Sequence, residues 1–150
     1  AKFGSPAFIF GWAKPVPVNF GNLRNPKRDM FWVAGAGPAA NFAMAIAWGL
    51  LLKSAAPGGL LASNGLMEMA VAGIKVNLML MALNLLPILP LDGGRIAVSL
   101  LPHSLATGYA RLEPYGFIIV ILLLATGVLG VLMQPILRVA EYALALFLGL

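Results

Sequence analysis

From Phe31 to Leu52 the chain runs 22 residues without a charged side chain. Wound as a helix, that stretch would rise about 33 Å, enough to cross a hydrocarbon layer of about 30 Å. Lipid offers no partner to a free backbone N–H or C=O, so a segment of this kind must satisfy its hydrogen bonds internally as a helix. A second uncharged apolar block runs from Gly116 to Met133. Across all 150 residues 61% are hydrophobic and 10% charged, with a mean hydropathy of +0.93. Soluble domains carry about 25% charge. The expected product is an all-α integral membrane protein, a single membrane-embedded domain over residues 1–150 with three to four transmembrane or re-entrant helices.

Composition also excludes function classes. There is no cysteine, so neither a disulfide framework nor a thiolate metal site or nucleophile is available. The net charge of +5 comes from scattered cations without a dense basic run, which fits loop topology and lipid headgroups and argues against nucleic acid as a partner. Lys2, Lys14, Arg24, Lys27 and Arg28 all precede the first span, whereas the loop from Lys53 to Gly65 holds one Lys. The amino-terminal side is therefore expected to be cytoplasmic. No internal repeat suggests the two halves of a transporter.

Residues 1–31 read differently from the rest. Pro6, Pro15, Pro17 and Pro26 with Gly4, Gly11 and Gly21 exclude a long helix and suggest an extended hairpin or re-entrant loop. A span over about 31–52 follows, with Gly35, Gly37, Ala39, Ala40 and Ala43 forming a small-residue surface around Asn41. The next block carries Glu68 and Lys75, which should lie near a membrane edge because a charge at the bilayer centre costs a few kcal/mol, at about 2.5–3.5 or more. If the crossing starts near Lys75, a helix to Leu86 and an extended run over Pro87–Leu91 make one membrane thickness, a span over about 75–91 that leaves Asp92 near the opposite face. Asn77 and Asn84, seven apart, share a helix face and form a polar stripe. Arg95 to Pro114 reads as a loop or short interfacial helix. A third span is expected over 116–133, broken by Gln134-Pro135, then a short helix over 136–150 carrying Arg138 and Glu141.

The run Asn84-Leu-Leu-Pro87-Ile-Leu-Pro90-Leu91-Asp92-Gly93-Gly94-Arg95 places a carboxylate where prolines have forced the chain out of helix. Broken backbone at membrane depth survives only when buried in protein or beside a water-filled cavity, and an ionisable group there commonly has a function. An Asp-Gly pair is also an ordinary turn at a membrane exit. The residues alone leave both readings open.

This run resembles the carboxy-terminal motif of the site-2 protease family, zinc metalloproteases that cut within membranes. Two further segments share the resemblance. Phe10-Gly-Trp-Ala-Lys-Pro-Val-Pro-Val-Asn19 with Leu23-Arg-Asn-Pro-Lys-Arg-Asp29 is similar to the loop ahead of a core helix in the compact bacterial branch, and Ala36-Gly-Pro-Ala-Ala-Asn41 to that helix's opening. The resemblance implies that Asp92 is a zinc ligand and that Asn84 stabilises the oxyanion as a peptide carbonyl is attacked. It also implies a transmembrane-helix protein substrate, held as an added strand along the bent backbone near Asp92 or along Val16–Phe20. The implied location is the bacterial inner membrane, with the active site near the cytoplasmic side.

One part of the family pattern is missing. The His-Glu-x-x-His helix that supplies two ligands and a general base does not occur, and the only histidine, His103, follows Pro102 in a polar stretch and reads as a solvent or headgroup residue. A catalytic zinc takes three protein ligands, so these residues do not build one alone. Either the missing N-terminal helices of the same protein precede Ala1, which the start on Ala instead of Met favours, or the chain is a non-catalytic membrane scaffold, a pseudoprotease that binds transmembrane helices.

Overall fold

The computed structural model describes residues 25–150, so the expected hairpin over residues 1–31 lies, but for its last seven residues, outside the described residues; of those seven, Pro26–Phe31 are helical and not hairpin, since a proline is tolerated in a helix's first turn. Six helices follow in order: α1 (Pro26–Ala55), α2 (Asn64–Asn84), α3 (Asp92–Leu100), α4 (His103–Ala110), α5 (Glu113–Ala125) and α6 (Val128–Leu148). Among the described residues there is no strand. Helices α1, α2 and α6 are each long and apolar enough to cross a membrane, and α4 with α5, bent by 63° at their junction, make a possible fourth, broken span. The protein is an all-α membrane protein, as the composition requires.

Pro26 occupies the first turn of α1, where its missing N–H costs nothing. Asp29 reaches back to accept from the Asn25 N–H at 3.4 Å. The α1–α2 connection turns on Gly58, whose φ of +84° suits glycine, and closes with Leu61 N–H to Ser54 O and Ser63 N–H to Ala55 O. Ser63 then caps α2, its hydroxyl accepting from the Leu66 N–H. Bulk meets absence of bulk between the two helices: the Trp48 ring lies against Gly73, and Ala45 shares a core with Leu78 and Met81.

α6 completes the bundle, parallel to α1 and antiparallel to α2. Leu148 packs on Gly49, and Lys53 donates from Nζ to the Leu148 carbonyl at 2.5 Å, satisfying an end group of α6 with a cation where the helix dipole favours one. At the other end Leu129 and Met133 pack with Ala82 and Leu86.

Helix boundaries differ from the expected ones in three further places. α2 begins at Asn64, not near Lys75, and carries Glu68 and Lys75 on exposed positions of a continuous helix. Their side chains project away from the bundle, so the helix has no reason to start after them. The expected span over 116–133 is two helices, because Gly127, at φ +76°, breaks the chain between α5 and α6. Gln134-Pro135 does not break it: Pro135 sits inside α6, flanked by Met133 and Leu137, which are held in the cores against α2. The helix expected over 136–150 is thus the second part of a 21-residue span.

Candidate functional site

Asp92 owes its position to how α2 ends. Pro87 cannot continue a helix and disfavours helical backbone at Leu86, and α2 stops at Asn84. The expected extended run over Pro87–Leu91 does not form. Ile88 N–H donates to Leu86 O at 2.7 Å and Leu91 N–H to Ile88 O at 2.8 Å, so the segment folds into consecutive turns and buries Leu86 and Leu89. Curling brings the Leu89 side chain into the protein interior beside Leu86, a burial that an extended run would not give. No strand-like edge is offered along it.

The chain then turns back. α3 runs antiparallel to the first part of α1, with Asp92 against Gly37 at one end and Leu101, whose carbonyl accepts from Lys27 Nζ at 2.8 Å, at the other. The carboxylate sits level with Gly37, eleven residues into α1. A Cβ on Gly37 would stand 2.5 Å from Asp92 Oδ2, so the oxygen touches α1's backbone because that position has no side chain. Pro38 follows, buried inside α1.

Asn84, the last residue of α2, is half-buried. Carried along the antiparallel hairpin, the register of Trp48 against Gly73 brings it level with Gly37 to Phe42 of α1. Asn84 and Asp92 flank the two ends of the turn-rich loop. Asn77 does not join them. It lies seven residues back on the same helix and is buried, as the inward-facing stripe requires, but its amide already donates to Gly73 O of its own helix at 2.8 Å.

Glycines hold the loop from beneath. At Gly93 a side chain would meet the carbonyls of Leu85 and Leu86, at Gly94 the backbone of Ile88 and Leu89, and at Gly116 of α5 the Leu89 carbonyl. Tyr109 of α4 donates its hydroxyl to the Pro87 carbonyl. Neither Tyr109 nor Gly116 stood out in the sequence; a glycine inside an apolar run is the one available signal, since it often marks close backbone approach.

The donor set does not by itself fit a catalytic zinc. Among the described residues no three His, Cys, Asp or Glu side chains come together to hold a metal. His103 is exposed at the start of α4. Asp92 is thus a single ligand candidate.

Comparison with known proteins agrees with the motif. The family model of Peptidase family M50 matches residues 49–127, a stretch that includes both Asn84 and Asp92. The chain is 38% identical over 133 residues to a protein of Bacillus subtilis (strain 168) named "Putative zinc metalloprotease YwhC", an alignment covering 86% of this chain and 61% of that relative. The chain spans about three-fifths of the length of the curated relative it matches. No solved structure matches.

Proposed function

The chain belongs to Peptidase family M50, the site-2 protease family, and from that premise we propose that it is the carboxylate-bearing part of a zinc-dependent protease that cuts transmembrane helices. The observation that carries the proposal is the approach of the half-buried Asp92 carboxylate to α1 at Gly37. A carboxylate brought in from water and not used there would cost stability for nothing. Asp92 would supply one hard oxygen ligand, a type suited to zinc. When bound, the metal supplies an activated water and a polarised carbonyl. Asn84 donates an amide N–H to the oxygen on which charge builds, a contribution of about 2.7–4 kcal/mol for one such donor. The site lies towards the cytoplasmic face, the side on which the basic residues before α1 gather, in a bacterial inner membrane.

The test uses the full-length protein in liposomes and a synthetic transmembrane peptide of about 20 apolar residues bearing a fluorophore and a quencher. Asp92→Ala lowers zinc content and cleavage together; Asn84→Ala loses turnover by about 100-fold or more with zinc retained. Full activity in Asp92→Ala overturns the ligand assignment. Absence of cleavage and of zinc in the unaltered protein favours the scaffold reading.

A further inference from the structure

The loop from Leu85 to Leu91 carries Asn84 at one end and Asp92 at the other, so whatever fixes the loop fixes the spacing between them. Its inner side is set by Gly93 and Gly94, neighbours in the chain whose contacts follow from the loop's own path. Its outer side is held from a distance. The Tyr109 hydroxyl bonds the Pro87 carbonyl, and Gly116 receives the Leu89 carbonyl where any side chain would collide with it. Beside these contacts a gap of about 90 Å³ remains between the loop and the α4–α5 pair, lined by Pro87, Ile88, Leu89, Tyr109, Leu112 and Ile119 among others. The Tyr109 hydroxyl reaches the Pro87 carbonyl beside this gap.

We propose that Tyr109, seated by the α4–α5 bend over Gly116, is a positioning residue that holds the Asn84–Asp92 loop in its working geometry. This rests on the protease reading above. Tyr109 acts through the loop and touches no reacting atom. An unbonded carbonyl at Pro87 can move into the gap, and an ångström of displacement at a site of this kind costs about 100-fold in rate.

The experiment compares Tyr109→Phe, which keeps the ring and removes the hydroxyl, with the unaltered full-length protein on the same quenched transmembrane peptide. Expected is a fall in kcat of about 10- to 100-fold with KM within about twofold. A second readout needs no turnover. The 150 residues contain no cysteine, so single cysteines in an otherwise cysteine-free background report local opening through their rate of thiol labelling. Tyr109→Phe should speed labelling of Ile88→Cys severalfold and leave Ala45→Cys, in the bundle core, unchanged. Unchanged kcat, or faster labelling at both positions, overturns the positioning role, the second because it reports general loosening. Asp92→Ala run in parallel separates the two proposals: full activity there removes the carboxylate from the site whatever Tyr109 does, whereas loss there with Tyr109→Phe unaffected removes only the tether.

Discussion

At the Asp92 end, backbone meets backbone through Gly93, Gly94 and Gly116, and a carboxylate oxygen meets helix α1 through Gly37. On the outer face of α6, Val131, Val139, Tyr142, Leu146 and Phe147 are each at least 63% exposed, and Gly130 has nothing within 4 Å of where a side chain would begin. Both regions are apolar, and in a chain that is 61% hydrophobic apolar character does not separate inside from outside. Lipid is as good a neighbour to a leucine as another leucine is. What separates the regions is the residue that lets main chains approach, and the glycine contacts therefore mark the part of the molecule whose geometry matters.

The largest effect is expected where a new methyl group must displace backbone. Gly116→Ala drives a Cβ into the Leu89 carbonyl, and neither α5 nor the folded loop can yield without breaking the turns at Ile88 and Leu91. A destabilisation of about 1–3 kcal/mol, read as a lower thermal midpoint in detergent, should accompany loss of peptide cleavage. A variant that melts as the unaltered protein does and cleaves at full rate would show that the loop is looser than its contacts imply, and the contrast with α6 would collapse.

How much of this could be read from the sequence follows the same line. The uncharged run from Phe31 to Leu52 was enough to place α1, found at Pro26–Ala55, because a crossing helix is dictated by length and polarity alone. The prolines at 87 and 90 sufficed to end α2 and to single out Asp92. Three things were not legible. Lys75 looked like a membrane edge because sequence does not say which way a side chain projects from a continuous helix. The break at Gly127 and the continuity at Pro135 reversed the ordinary expectation for proline, since packing of Met133 and Leu137 against α2 holds that stretch helical. Tyr109 and Pro87 are 22 residues apart, and no local pattern announces that they meet.

A smaller effect on stability, but a selective one on chemistry, is expected at Gly37. The colliding atom there is the end of the Asp92 side chain, 2.5 Å from the added Cβ, and a side chain can rotate where a backbone cannot. Gly37→Ala should therefore fold at least as well as the unaltered protein, since alanine favours helix over glycine by about 0.5–1 kcal/mol, while cleavage falls by about 100-fold as the carboxylate is pushed off α1. Equal cleavage with equal stability would mean that the contact with α1 does not set the carboxylate's position, and it would sharpen the comparison by confining the geometric requirement to the loop.

Gly130→Ala is the smallest of these changes and the one that tests the lipid-facing half of the comparison. The site is exposed, lies within α6 and is open around the position of the added methyl group. The substitution therefore acts only on helix propensity, worth about 0.5–1 kcal/mol in favour of the folded state. The thermal midpoint should rise by a few degrees with cleavage unchanged. A loss of cleavage there, with the fold intact, would mean that another surface closes on α6 in the full-length protein, and the face taken as lipid-exposed would have to be counted with the packed region around Asp92.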